Sequence, residues 1–332
     1  MRRRALVIGI NDYRDQPLAG CSNDARAVAE LLSYNADGGP NFETRLLVSP
    51  ETDVTRVVLM DAVEALFTSD AETVVFYFAG HGILNPETNS GFLVTTDGNR
   101  GAWGLNLADL VNLANKAYPR IQSTVIILDS CHSGHIGELA DLGAQNPTVI
   151  SNGVTILTAS ERDGATKEAM GHGLFTTIFL DGLRGGSADI RGNITPASIY
   201  SHVDQTLGAW KNRPVYKANV QTFITLRKVK PKVPLEVLRR LPTYFAQPDD
   251  VFPLDPSYER DRFSIPEHLR HLPRNAAHEE VFAELQMCNR QGLVEPVDEI
   301  HMFYAAINST GCRLTAIGKH YRELALKNRI TD

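Results

Sequence analysis

Unbroken apolar runs that stop abruptly at small polar loops set the layout of this chain. Val125-Ile126-Ile127-Leu128 runs straight into Asp129-Ser130-Cys131-His132-Ser133-Gly134, and Val74-Val75-Phe76-Tyr77-Phe78 runs into Ala79-Gly80-His81-Gly82. Continuous β-branched and aromatic runs of this length predict strands buried on both faces, as in parallel sheets. Ala5 to Ile10 and Val154 to Ser160 read the same way, Phe42 to Val48 as an edge strand, Gly91 to Asp97 as a short strand and Asn219 to Leu226 as a closing strand. Between them, apolar residues recur at helical spacing over Ser22 to Leu32, Val54 to Phe67, Leu107 to Lys116, Leu174 to Leu183 and Ser198 to Leu207. Strand–helix alternation of this kind predicts a doubly wound, mostly parallel α/β sheet flanked by helices.

The chemistry sits where the strands stop. Ligands in such sheets bind beyond the carboxyl ends of the strands, and two of these ends carry a thiol and an imidazole, Cys131 and His81, 50 positions apart. A lone cysteine is also what a buried structural residue looks like. A histidine bracketed by Gly80 and Gly82 at a neighbouring strand end favours the reactive reading, since a thiol needs an imidazole or other positive surroundings to become a thiolate near neutral pH. Asp24 lies in the first turn of the first helix, where a carboxylate is favourable against the helix dipole and is equally placed to reach a cleft at the sheet edge.

The segments Phe78-Ala79-Gly80-His81-Gly82 and Leu128-Asp129-Ser130-Cys131-His132-Ser133-Gly134 together resemble the caspase-like cysteine peptidases, in particular the metacaspase and bacterial caspase-like branch. The resemblance spans roughly residues 4 to 228. It implies a Cys131–His81 dyad, an oxyanion held by the backbone N–H groups of Cys131 and Gly82, and an acidic S1 pocket. In metacaspases an acid in a Gly-Cys-x-Asn-Asp stretch lines that pocket with the Asp two residues before the nucleophile. The matching positions here are Asp24 and Asp129, with Ser160 at the strand end that walls the pocket. Two carboxylates at one cleft select a basic side chain, and Arg above Lys for its bidentate geometry. In one departure, Ala79 stands two before the histidine, where metacaspases often have serine. Some members need calcium, which takes carboxylate oxygens. Asp97, Asp109 and Glu138 match those acids, but with Ala108 preceding Asp109 the helix pair is reduced, and the three read as solvated surface carboxylates, leaving the chain without a cofactor.

At 332 residues the chain is long enough for two domains, and composition divides it into 1–228, the peptidase, and 229–332. Nine of the 17 prolines fall in the second part, where Lys230-Pro231-Lys232-Val233-Pro234 reads as a stiff linker. After Asn275 come helices near His278 to Arg290 and Glu299 to Ile307, extended residues Leu293 to Val297, and a last helix capped by Thr315. The pattern predicts a smaller, mainly helical, winged-helix-like domain. Its 14 Lys+Arg against 15 Asp+Glu disfavour nucleic acid, whose phosphates need clustered cations. Bacterial caspase-like effectors commonly carry such an extension and often act in antiphage defence. The resemblance therefore implies a regulatory or sensor role, licensing the protease on an activating ligand or partner protein, a nucleotide-derived messenger among the candidates. Four cysteines form no disulfide framework, and the apolar stretch after Met1-Arg2-Arg3-Arg4 is too short for a signal sequence or membrane helix. A reducing cytoplasm and a protein or peptide substrate fit these features. The competing class is a silent scaffold that keeps the fold and binds peptide or protein partners without cutting them.

Residues 132–152 contain neither Lys nor Arg. An enzyme with an acidic S1 pocket therefore leaves this linker intact, unlike animal caspases, which mature by cleavage there; Arg162 and Lys167 remain available in the next loop. Mass spectrometry of incubated active protein is expected to find no cut between His132 and Asn152, and such a cut would contradict the pocket assignment.

Overall fold

The computed structural model describes residues 2–85, 87–88, 90–130, 150–159, 173–208, 214–261 and 263–331. They divide into two compact units, Met1–Lys230 and Pro231–Asp332.

The first unit is built on a six-stranded sheet. In chain order its strands and helices are β1 (Arg3–Gly9), α1 (Cys21–Ser33), β2 (Glu43–Val48), α2 (Arg56–Thr68) and β3 (Thr73–Ala79). A small antiparallel excursion follows, β4 (Gly82–Asn85), β5 (Ser90–Asn99) and β6 (Ala102–Asn106), then α3 (Leu107–Ala117), β7 (Ser123–Asp129) and β8 (Val154–Thr158). The unit closes with α4 (Leu174–Asp181), β9 (Asn193–Ile194), α5 (Pro196–Leu207), β10 (Val215–Asn219) and β11 (Arg227–Lys228). The main sheet has the order β10-β8-β7-β3-β1-β2. All its pairings are parallel except that of β10 with β8. From β1 the chain steps to β2 on one side and to β3, β7 and β8 on the other. The carboxyl ends of β1 and β3 therefore flank the topological switch point, where open α/β sheets receive ligands.

Side chains alternate across the strands and both faces are covered. Leu6, Ile8, Phe76, Phe78, Ile126 and Leu128 pack against α2 and α3 on one face. Ala5, Val7, Val75, Tyr77, Val125 and Ile127 pack against α1, α4 and α5 on the other. That two-sided burial is why the strands read as continuous apolar runs. At Gly9 a Cβ would stand 2.2 Å from the Cys21 carbonyl, so the missing side chain lets α1 start against the end of β1 and fixes where Asp24 falls.

Several boundaries differ from the sequence reading. The closing strand occupies Val215–Asn219 and not Asn219 to Leu226, because Val215-Tyr216-Lys217 rather than the later apolar residues hydrogen-bonds along β8. Helix α1 begins at Cys21, one residue before the Ser22 expected, with Gly20 at the cap position, and the Ser22 hydroxyl donates to the Ser49 carbonyl at 2.7 Å. Helix α2 begins only after Thr55, whose side chain accepts the Val58 N–H. The short glycine-bearing strands β4 and β6 give too little periodicity to be read from the sequence.

The second unit has its own antiparallel sheet, β12 (Val251–Phe252), β14 (Cys312–Leu314) and β13 (Val294–Pro296), in the order β12-β14-β13. Around it lie α6 (Leu235–Tyr244), α7 (Ala276–Arg290), α8 (Met302–Ile307) and α9 (Ala316–Leu326). Thr315 caps α9, accepting the Gly318 N–H. Helix α6 forms in the proline-rich stretch despite the internal Pro242. Val237, Leu238 and Leu241 bury its apolar face. The chain just past its C-terminus is held from outside: the buried Arg322 guanidinium donates to Phe245 O at 2.6 Å and to Ala246 O.

No helix among the described residues is long and apolar enough to cross a membrane.

Removing the Arg322 side chain strips those carbonyls of a charged donor, worth about 2 kcal/mol. In Arg322→Ala, hydrogen exchange is expected to show reduced protection across Leu235–Tyr244 and Ala316–Leu326, with the six-stranded sheet unchanged.

Candidate active site

A cleft of about 780 Å³ opens at the carboxyl edge of the main sheet. Its walls come from the loop after β1 (Tyr13 to Leu18), the start of α1, the turn after β3 (Gly80 to Ile83), part of β5–β6, the ends of β7 and β8, and Gly173. His81, Gly82, Asp24 and Asp129 all line it. Cys131, Ser160 and Glu138 lie outside the described residues.

Backbone pairing sets the relative positions. The β3–β7 register matches Ala79 to Asp129, and one step further the Gly80 N–H donates to the Asp129 carbonyl at 3.3 Å. His81 therefore leaves the sheet beside the end of β7. Three contacts then hold it. Its carbonyl accepts the Val94 N–H at 2.9 Å. Its own N–H donates to the Tyr13 hydroxyl at 2.9 Å, and that hydroxyl donates onward to the Val94 carbonyl at 3.2 Å. Tyr13 thus takes the place of one ladder bond between the two backbones. A Cβ at position 80 would stand 2.4 Å from the Tyr13 oxygen, so glycine is required for the phenol to enter. Alternation of the antiparallel ladder from this rung turns the N–H of Gly82 away from β5, toward the open edge of β4.

The imidazole is oriented by the backbone. His81 Nε2 lies 2.7 Å from the Gln16 carbonyl oxygen, and the Tyr13 ring packs against it with centroids 4.5 Å apart. A carbonyl can only accept, so Nε2 carries the proton, and Nδ1 is left as the basic nitrogen of the neutral ring.

At the other end of the cleft two carboxylates converge. Asp24 is 2 % exposed, and its Oδ2 accepts the Gly173 N–H at 3.2 Å. A Cβ on Gly173 would be 3.0 Å from Asp129 Oδ2 and 3.5 Å from Asp24 Oδ2. Asp24 is therefore turned into the cleft, and α1 has no side-chain cap. Asp129 Oδ2 accepts the Thr176 hydroxyl at 2.6 Å, and the Thr176 oxygen lies 2.6 Å from the hydroxyl of the fully buried Tyr77. Thr176 has a single hydroxyl proton and gives it to the carboxylate, so Tyr77 must donate to Thr176. The relay runs Tyr77 to Thr176 to Asp129, and every member favours the ionised acid. Loss of water still outweighs it. Burial raises the Asp129 pKa to about 6, with the Thr176 bond opposing and the Asp24 charge adding to the rise. The Ser130 hydroxyl, buried beside them, has no hydrogen-bond partner among the described residues.

Sequence reasoning named His81, Gly82, Asp24 and Asp129, and all four line this cleft. It missed Tyr13, Gln16, Thr176 and Tyr77. Gln16 acts through a carbonyl every residue has, so no letter could reveal it. Thr176 and Tyr77 look like ordinary core positions. Cys21 also lines the cleft, whereas burial pushes the thiols of Cys288 and Cys312 up to about 12 and leaves them inert near neutral pH. No three His, Cys, Asp or Glu side chains among the described residues form a group fit for a metal. Asp97 instead accepts the Arg56 N–H at 2.9 Å and the Thr95 hydroxyl at 2.7 Å.

The relay sets when Asp129 carries charge. Its carboxyl, followed by ¹³C NMR, is expected to titrate near pH 6, ionised above and neutral below. In Thr176→Val the lost donor should move the midpoint to higher pH, and in Tyr77→Phe by a smaller amount in the same direction.

Three comparisons with known proteins bear on this unit. The Caspase domain family matches residues 2–229. No curated protein matches the chain. Among solved structures, the protein GSU0716 from Geobacter sulfurreducens superposes with a TM-score of 0.50 at 16% identity, covering 70% of this chain and 98% of its own, and supports the fold alone. Caspase-1 from Spodoptera frugiperda gives a TM-score of 0.47 at 11% identity, over 69% of this chain and 90% of its own. Its pro form gives 0.43 at 12% identity, over 69% and 94%. On the match across residues 2–229, the chain belongs to the caspase-domain family of cysteine peptidases.

Proposed function

We propose that this caspase-like protease is a cysteine endopeptidase that cleaves after Arg, and less readily after Lys. The observation that carries the reading is the convergence of Asp24 and Asp129 at Gly173, in the cleft that also holds His81. Two like charges with little water between them are costly, and a substrate cation relieves that cost. A planar guanidinium can face both carboxylates at once; an ammonium is a point charge.

In this scheme the Cys131 thiolate attacks the carbonyl carbon after Arg. The resulting oxyanion is held by the N–H groups of Gly82 and Cys131, preorganised electrostatic donors of the kind that dominates acyl transfer. Protonated His81, gripped at Nε2 by the Gln16 carbonyl, gives its Nδ1 proton to the leaving amine. Water then attacks the thioester, His81 accepts its proton, and the acid product and free thiol separate. Ser160 walls the pocket in this reading. The unit Pro231–Asp332, with a core of its own beyond the Pro-bearing linker, receives the signal or partner that licenses cleavage, as in a defence or cell-death effector.

Cys131→Ala should abolish cleavage of Arg peptides. Asp24→Ala or Asp129→Ala should lower kcat/KM on them about 30-fold or more, following the roughly 2–5 kcal/mol cost of truncating one partner of a buried charge pair. The assay is run on the full chain with and without calcium and candidate nucleotides. Wild-type rates in either Asp variant would rule out the acidic pocket.

A further inference from the structure

The cleft is larger than a basic side chain needs, and its two ends differ in chemistry. The acidic end belongs to the α1–α4 face of the sheet: Asp24 lies on α1, and Asp129 is tied to Thr176 on α4. The other end belongs to the α2–α3 face, where Val94 is part of that core and Leu18 and Ile83 pack against it. Leu18, Ile83, Val94 and Trp103 give this end an apolar lining. It is shaped by an irregularity in the β5–β6 ladder between Val94 and Asn99, the kind of break that re-aims side chains beside active sites. Gly98 lets the two strands close up there, since a Cβ would stand 2.4 Å from the Trp103 carbonyl and 2.8 Å from Val94 Cγ1. His81 and its flanking glycines sit at the edge between the two ends.

We propose that this apolar end is the subsite for the residue after the scissile bond, and that it selects a large apolar side chain such as Leu or Phe there. The inference rests on the protease reading above. In that reading the side chain before the scissile bond enters the acidic end, and His81 donates its proton to the leaving nitrogen. That nitrogen, and the residue it belongs to, must therefore lie on the His81 side of the attacked carbon. Immediately beyond His81 the chain enters β4, with Ile83 on it and Val94 and Trp103 behind. An apolar side chain there loses water against apolar walls. A charged one would be desolvated among those four side chains, since the charged lining residues Arg14 and Asp15 are exposed on the loop after β1.

Internally quenched peptides with Arg before the scissile bond and Leu, Phe, Ala, Asp or Lys after it test the assignment on the full chain. Leu and Phe peptides should exceed the Asp peptide in kcat/KM by about tenfold or more, the scale on which apolar pockets discriminate. Trp103→Ala should flatten that ranking while preference for Arg over Asp before the bond persists. Ile83 lies partly exposed on an edge strand, so Ile83→Asp offers a second variant, expected to shift preference toward Lys after the bond. Equal rates across the series with Arg cleavage intact would overturn the subsite alone. Failure to cleave any Arg peptide would overturn the protease reading, and the subsite with it.

Discussion

Seven parallel rungs join β3 to β7, and the last sets Ala79 beside Asp129. Parallel strands in register end at one edge, so a residue just past either strand can meet a residue just past the other without any loop reaching across. The histidine turn and the acid inherit their proximity from this pairing, with the Gly80 N–H and the Asp129 carbonyl as its final link. A slip of one residue would turn every side chain of a strand to the opposite face. Both faces here are fully packed, so such a slip would expose one core and overfill the other.

On this frame the site is assembled from polar groups that the core can ill afford. Tyr77 carries its hydroxyl into the α1–α4 core, and its hydrogen bond to the Thr176 oxygen makes that burial tolerable. The same hydroxyl pair then steadies Asp129 through Oδ2, the oxygen that lies beside Gly173. Burial and the neighbouring Asp24 push the acid toward its neutral form; the relay pulls it back. The outcome is an acid whose pKa is raised to about 6.

The sequence was most informative where packing alone decides structure. Val74 to Phe78 and Val125 to Leu128 read as doubly buried strands because they are, and the polar letters after them stood out by contrast. Asp24 was legible as more than a helix cap only in company with Asp129. What escaped notice depends on groups without a distinctive letter or period. The Gln16 carbonyl belongs to the backbone. Thr176 sits in an apolar helix where a β-branched residue is unremarkable. Strands β4 and β6 are too short to establish alternation, and α6 is written in a stretch whose prolines argue against it.

The phenol between His81 and Val94 also joins two parts of the molecule into one. Tyr13 and Gln16 lie three residues apart on the same loop; the first is spliced into the histidine's backbone and the second grips its ring. Loop and imidazole are thus a single mechanical piece. A displacement of residues 13–16 by the width of a hydrogen bond would break the histidine's backbone link and its ring contact together.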